Sequence, residues 1–174
     1  MMLSGLTLVL GGAASGKSSF AESLVVQTGR SRVYLATAQA FDAEMRAKVD
    51  RHRDMRGAGW LTVEAPLDPG AALRDTTPDQ IVLLDCATMW LSNQMLAEAD
   101  LADAEKGLMS ALADCPAPVV IVSNEVGLSV VPENALARRF REAQGRLNQT
   151  LAAQAGLVVN VIAGLPQVLK GQLP

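Results

Sequence analysis

Aromatic residues are scarce in this chain of 174 residues, at 3% of the total, although hydrophobic residues of all kinds make up 49%. The core must therefore be aliphatic, and few rings remain for stacking on nucleic-acid bases. Charged residues are also sparse, at 19%, and the net charge is −3. This balance argues against a protein that binds nucleic acid through a basic surface. We therefore expect no nucleic-acid partner.

Long apolar runs are absent as well, and no stretch approaches the length of a membrane span. The first residues lack the charged and apolar regions of a signal peptide. The two cysteines, Cys86 and Cys115, show no metal-ligand spacing, so we expect buried thiols in a reducing cytoplasm rather than a disulfide. No repeat or linker divides the chain, and residues 1–174 are predicted to form one domain with a substantial core.

A glycine-rich stretch within residues 6–19, LTLVLGGAASGKSS, is the strongest motif in the sequence. It fits the phosphate-loop pattern G-x-x-x-x-G-K-S/T directly after an apolar strand. Glycines let successive N–H groups turn toward a polyphosphate at a helix N-terminus, while the lysine reaches the β- and γ-phosphates and the serine hydroxyl can bind Mg²⁺. The pattern predicts binding of a nucleoside triphosphate by Gly11, Gly12, Ala13, Ala14, Ser15, Gly16, Lys17 and Ser18.

Short aliphatic runs alternate with helical patterns along the rest of the chain. Strands are predicted at residues 6–10, 33–36, 60–64, 81–84, 119–122 and 157–162, with a short edge at 167–169. Helices are predicted at residues 18–27, 42–56, 88–97, 101–113 and 133–154, with a helical turn near 71–74. This alternation predicts an α/β fold, with a mostly parallel sheet covered by helices on both faces.

Three carboxylates end predicted strands, where side chains reach the ligand-binding edge of an open parallel sheet. Asp85 follows an aliphatic strand and is predicted to hold Mg²⁺, although an aspartate here could instead cap the next helix. Glu64 and Glu125 could contact a ligand or be exposed carboxylates. Cys86, beside Asp85, is interpreted as a small buried hydrophobic residue rather than a nucleophile.

His52 is the sole histidine. It continues the helical spacing of Met45 and Val49, which favours a core imidazole, but Arg51, Arg53 and Arg56 crowd the same segment. Nearby guanidinium groups favour the neutral, nucleophilic imidazole and would bind phosphate. A basic helix exposed on the surface is a third interpretation. Composition and spacing leave a chemical role and a structural role equally open.

Four sequence blocks together resemble a known family: LVLGGAASGKSSFAE, KVDRHRDMRGAGWLTVE, LLDCATMWLSN and VSNEVGLSVVPENALARRFREAQGRLNQTLA. In this order they resemble the bifunctional adenosylcobinamide kinases and adenosylcobinamide-phosphate guanylyltransferases of cobalamin biosynthesis. The last block is the most specific, because generic phosphate-loop proteins do not carry it. The resemblance covers nearly the whole chain and implies a RecA-like P-loop NTPase fold and a homotrimer.

Two reactions are implied by this resemblance. ATP or GTP phosphorylates adenosylcobinamide, and GMP then passes from GTP through a covalent guanylyl-histidine to give adenosylcobinamide-GDP. The family's H-R-x-x-R setting falls on residues 52–56, so His52 becomes the expected nucleophile, with Lys17 the other catalytic residue. Ala14 stands where the family commonly has arginine. Further nucleotide contacts are implied at Thr37, Ala38, Gln39, Arg53, Asp54, Met55, Arg56, Glu64 and Asp85.

Ser18 and Asp85 are the expected Mg²⁺ ligands, and no tightly bound organic cofactor is expected. Two other functions compete with this interpretation. One is a different small-molecule kinase on the same phosphate loop, with His52 merely structural. The other is a nucleotide-dependent binding or regulatory ATPase related to recombination ATPases.

Overall fold

One seven-stranded sheet organises the described residues, which are residues 3, 5–39 and 58–174 of a computed structural model. The strand order is β3-β2-β4-β5-β1-β6-β7. Every pairing is parallel except that of β6 with β7, which is antiparallel. The strands are β1 (Leu6–Gly11), β2 (Ser31–Ala36), β3 (Trp60–Glu64), β4 (Gln80–Asp85), β5 (Val119–Asn124), β6 (Leu157–Ile162) and β7 (Leu165–Lys170).

Five helices connect these strands in the part of the chain that the structure describes. They are α1 (Lys17–Gln27), α2 (Gly70–Arg74), α3 (Ala87–Leu96), α4 (Leu101–Ala113) and α5 (Ala135–Gln154). Two begin at side-chain caps: Asp100 accepts from the N–H groups of Ala102 and Asp103 before α4, and Asn134 caps α5 in the same way. Because Asn134 is a cap, α5 begins two residues later than predicted. The helix predicted over residues 42–56 lies outside the described residues.

Side chains alternate between the two faces of the sheet, so both faces are apolar. Along β4, Val82 and Leu84 point to one face and Ile81 and Leu83 to the other, and all four are buried. The first face packs against α2, α3, α4 and α5, and the second packs against α1. This pattern explains why the strands read as continuous aliphatic runs in the sequence.

The predicted fold class, an α/β fold with a mostly parallel sheet covered by helices on both faces, is confirmed. The predicted strands are all present, and the predicted short edge at residues 167–169 is the centre of the longer β7. Cys86 and Cys115 are free thiols, as predicted, although only Cys86 is buried and Cys115 is partly exposed. No helix among the described residues combines the length and apolarity that crossing a membrane requires.

We predict that Leu151→Ala destabilises the fold by about 2–5 kcal/mol, because Leu151 is fully buried between α5 and the sheet and its removal leaves a cavity. Leu136→Ala is the matched control, since Leu136 lies on the same helix with 53% of its surface exposed, and it should change stability by less than about 0.5 kcal/mol. Urea unfolding measures both. Equal losses for the two variants would contradict the packing described.

Candidate active site

The carboxyl ends of five parallel strands meet at one edge of the sheet and build the site. Gly11, at the end of β1, pairs with Asn124 at the end of β5. On the other side of β5, Asp85 at the end of β4 pairs with Ala36, which in turn pairs with Glu64. Residues far apart in the chain are therefore brought to this edge, which is where open parallel sheets bind ligands.

The phosphate loop connects β1 to α1 and is shaped by its own contacts. The Ser15 N–H donates to the Gly12 carbonyl at 3.3 Å, and Lys17 Nζ donates to the same oxygen at 3.0 Å. The Gly164 N–H donates to the Ser15 carbonyl at 2.8 Å, which ties the loop to the turn between β6 and β7. These bonds hold the loop curled at the start of α1.

At two positions of the motif, the surrounding atoms leave no room for any residue larger than glycine. A β-carbon on Gly11 would lie 2.8 Å from the Val161 carbonyl oxygen. Gly16 has φ of 92°, a conformation that side chains rarely adopt, and a β-carbon there would lie 3.2 Å from the Cα of Gly164. Gly16 is also the N-cap of α1, and no side chain among residues 3, 5–39 and 58–174 caps this helix, whose first turn contains no acid. The positive end of the helix dipole at this point suits an anion.

A cleft of about 1010 Å³ opens above this edge of the sheet. The phosphate loop forms one wall, and the residues after β5 form another. Its predicted residues are Ala13, Ala14, Ser15, Gly16, Lys17, Ser18, Ala38, Glu64, Asp85 and Glu125. Cys86, interpreted as a buried apolar residue, also lines it. Lining residues that the sequence did not single out are Ser19, Tyr34, Ala36, Thr62, Met89, Asn124, Val126, Leu128 and Ser129.

Asp85 is held by a tyrosine from the neighbouring strand. The Tyr34 hydroxyl donates to Asp85 Oδ2 at 2.7 Å, and the Tyr34 ring meets Trp60 edge-on with centroids 6.0 Å apart. This bond occupies one carboxylate oxygen and fixes the direction of the other. The sequence analysis did not single out Tyr34. The sequence feature that could have indicated it is that Tyr34 is the sole tyrosine and lies in a strand that ends at the ligand edge.

Cys86 follows Asp85 and caps α3, where its sulfur accepts from the Met89 N–H at 3.5 Å. Burial, with a contribution from the Asp85 charge, raises the pKa of the Cys86 thiol to about 11. At neutral pH the sulfur is therefore protonated and a poor nucleophile. This agrees with its interpretation as a buried apolar residue.

The remaining predicted contacts divide into two groups. Thr37 lies at the end of β2, fully buried, and its hydroxyl donates to the Cys86 carbonyl and accepts from the Cys86 N–H, both at 2.8 Å. That side chain joins β2 to β4, while Ala38 lines the cleft and Gln39 is half-buried beside it. His52, Arg53, Asp54, Met55 and Arg56 lie outside the described residues.

A phosphate loop at a helix N-terminus and a strand-end aspartate on one cleft define a P-loop nucleotide-binding protein of the α/β class. Within that class, the family described as cobinamide kinase / cobinamide phosphate guanyltransferase matches residues 7–169. The chain belongs to this family.

Two curated relatives show the same likeness across the whole length. The chain is 42% identical over 168 residues to the bifunctional adenosylcobalamin biosynthesis protein CobP of Pseudomonas aeruginosa, covering 95% of this chain and 97% of that protein. It is 41% identical over 182 residues to the protein of the same description, CobU, of Salmonella typhimurium, covering 95% and 99%.

Solved structures share the fold at much lower identity. The flagellar accessory protein FlaH from Methanocaldococcus jannaschii aligns with a TM-score of 0.52 at 14% identity, covering 97% of this chain and 79% of that chain. A type III secretion system ATPase from pathogenic bacteria aligns with a TM-score of 0.57 at 9% identity, covering 94% and 56%. These likenesses show the fold alone.

We predict that a thiol-alkylating reagent modifies Cys115 before Cys86 in the folded protein. With a pKa of about 11, only about one Cys86 thiol in a thousand is ionised at pH 8, and the side chain is buried, whereas Cys115 is partly exposed. Peptide mapping after timed alkylation measures the two rates, with unfolded protein as the control in which both react. Faster labelling of Cys86 in the folded protein would contradict its described environment.

Proposed function

We propose that one cleft serves both reactions of the family, with His52 carrying GMP between GTP and the corrinoid. Family membership assigns the class of activity: the chain is a cobinamide kinase and cobinamide-phosphate guanylyltransferase. The observation that carries the assignment to this site is that the phosphate loop and Asp85 line one cleft within the stretch that the family matches.

In the kinase step, a nucleoside triphosphate lies along the phosphate loop and the start of α1. The hydroxyl oxygen of adenosylcobinamide attacks the γ-phosphorus, the bond from that phosphorus to the β–γ bridging oxygen breaks, and the nucleoside diphosphate leaves. Lys17, already held over the loop by its bond to the Gly12 carbonyl, balances charge on the β- and γ-phosphates. Positioning and electrostatics, rather than covalent chemistry, supply most of this catalysis.

Mg²⁺ accompanying the nucleotide would be held by Ser18 and Asp85. The donor set fits, because a hydroxyl and a carboxylate are the hard oxygen ligands that Mg²⁺ prefers, and both residues line the cleft. The Tyr34 hydroxyl occupies Asp85 Oδ2 and leaves the other carboxylate oxygen for the ion. When bound, the ion neutralises negative charge on the phosphates.

In the guanylyl step, a neutral imidazole nitrogen of His52 attacks the α-phosphorus of GTP. The bond from that phosphorus to the α–β bridging oxygen breaks and pyrophosphate leaves. A phosphate oxygen of adenosylcobinamide phosphate then attacks the same phosphorus, the P–N bond breaks, and the imidazole is released. Support for His52 comes from its place within the family match and from the arginines beside it, Arg53 and Arg56, which suit a transferring phosphoryl group.

We also propose a homo-oligomer, a trimer by family resemblance, that binds small-molecule substrates and no nucleic acid. Exposed apolar side chains on the β6–β7 hairpin support an interface there, since Ile162, Leu165 and Leu169 expose 57%, 71% and 55% of their surface. The two free thiols support a reducing compartment such as the cytoplasm.

His52→Asn should abolish covalent labelling of the protein by GTP radiolabelled at the α-phosphorus, because the asparagine amide nitrogen is not nucleophilic. Phosphorylation of adenosylcobinamide should stay within about threefold of the wild type, since that step needs no histidine nucleophile. Acid-labile label on the wild-type protein, mapped to the peptide that contains residue 52, is the measurement. Absence of label on the wild type at saturating GTP would favour a kinase that lacks the second activity.

Lys17→Ala should lower both activities by at least about 100-fold, because removing a preorganised charge from the phosphates costs roughly that much. Both assays use the same preparations as the His52 experiment, so a selective loss and a common loss can be compared directly. Retention of guanylyl-histidine formation in Lys17→Ala would show that the two reactions use different phosphate sites.

A further inference from the structure

A buried polar cluster lies beside the cleft, made of Thr88 from α3, Ser123 from β5, and Gln144 and Asn148 from α5. Ser123 Oγ donates to Asn148 Oδ1 at 2.6 Å. Gln144 Nε2 donates to Ser123 Oγ and to Asn148 Oδ1, both at 2.9 Å. All four residues are buried, so this cluster sits between α5, α3 and the end of β5 rather than in solvent.

Stability alone explains this cluster poorly. Gln144 is fully buried, and its Oε1 has no hydrogen-bond partner within the described ranges. A buried polar atom without a partner costs about 1–3 kcal/mol, whereas an apolar side chain of similar size would avoid that cost. The cluster is better explained by the backbone that it anchors.

The backbone of Asn124 is what the cluster holds. Its N–H donates to Thr88 Oγ1 at 2.8 Å, and its carbonyl accepts from Asn148 Nδ2 at 3.1 Å. Both polar backbone groups are thus anchored to side chains of the cluster. The side-chain amide of Asn124 makes no hydrogen bond within the described part of the chain, and the residue lines the cleft.

Asn124 also occupies the central position of the ligand edge. It pairs with Gly11, the first residue of the phosphate loop, and the next N–H, that of Glu125, donates to the Gly11 carbonyl at 3.1 Å. Its strand, β5, lies between β1, which leads into the phosphate loop, and β4, which ends at Asp85. In the order of the strands, the end of β5 therefore lies between the phosphate loop and the expected metal ligand, and Asn124 lines the cleft that both share.

The chemistry of the amide selects its role. An asparagine cannot take a proton from the acceptor hydroxyl at neutral pH, but its NH₂ group is a neutral donor suited to a phosphoryl oxygen. The neighbouring carboxylate of Glu125 accepts from the Gly127 N–H at 2.5 Å, so it is used in the turn after β5. We propose that the Asn124 amide donates a hydrogen bond to the γ-phosphoryl group during its transfer, and that Asn148 is a positioning residue acting through Asn124.

This role rests on the kinase reaction proposed above and adds no new reactant. The bond from the acceptor oxygen to the γ-phosphorus forms as the bond to the β–γ bridging oxygen breaks, and the hydroxyl proton is released to water. Negative charge spreads over the equatorial oxygens of the transferring group. A donor fixed before the reaction stabilises that charge without reorganisation in the transition state.

Asn124→Ala should lower kcat for phosphorylation of adenosylcobinamide by about 100-fold while the KM for the nucleotide changes less than about threefold. The backbone bonds to Thr88 and Asn148 do not need the side chain, so the fold should persist, which circular dichroism and thermal melting can verify. Asn124→Asp should be at least as impaired as the alanine variant, because a carboxylate opposes the phosphoryl charge. Guanylyl-histidine formation should fall at least tenfold less than kinase activity.

Three results would overturn this role. Unchanged kinase activity in Asn124→Ala would show that the amide does not act on the γ-phosphoryl group. Equal losses of kinase activity and guanylyl-histidine formation would indicate a general structural effect. Activity retained in Asn124→Asp would assign the residue to the metal instead. A wild-type protein that phosphorylates no adenosylcobinamide would instead refute the proposed function, so the two failures are distinguishable.

A double-mutant cycle tests the positioning role of Asn148. Asn148→Ala should lower kinase kcat about tenfold in the wild-type background and by less than about twofold in the Asn124→Ala background, because its effect passes through the same amide. Gln149→Ala is the matched control on the same helix, since Gln149 is exposed, and it should leave kcat unchanged. Additive losses in the double variant would overturn the coupling.

Discussion

Parallel pairing of β4, β5 and β1 is the constraint on which the site depends. Because side-by-side parallel strands end at the same edge, Gly11 pairs with Asn124, and Asp85 pairs with Val122, two residues before Asn124, so all three residues lie at this edge. A shift by one residue in either pairing would turn every side chain of a strand to the other face. The apolar cores on both faces make such a shift costly, so the packing of the sheet also fixes the chemistry.

Buried polar side chains lie mainly near the ligand-binding edge of the sheet. Thr37 joins the ends of β2 and β4, Tyr34 fixes Asp85, and the cluster around Ser123 anchors the end of β5. These side chains form hydrogen bonds with backbone or carboxylate groups at the strand ends, where neighbouring strands no longer supply backbone partners. The cost of burying them is offset by a rigid edge, and a rigid edge is what a preorganised phosphate site requires.

Fold and function separate clearly in this protein. The solved structures that share its fold include a flagellar accessory protein and a secretion ATPase, at 14% and 9% identity. These likenesses show the arrangement of the sheet and helices and say nothing about the reaction. The relatives at 42% and 41% identity match 95% of this chain. Ser123, Gln144 and Asn148, which belong to the last of the four sequence blocks, meet in the cluster that holds Asn124.

The sequence alone determined the parts of this protein that depend on local pattern. The glycine-rich loop, the aliphatic strands and the helices of the described residues were predictable, because turn chemistry and the burial period act over a few neighbouring residues. Tyr34 on Asp85 and Asn148 on Asn124 were not, since these contacts join residues 51 and 24 positions apart. Only strand order and register bring such residues together, and those follow from packing the whole sheet against its helices.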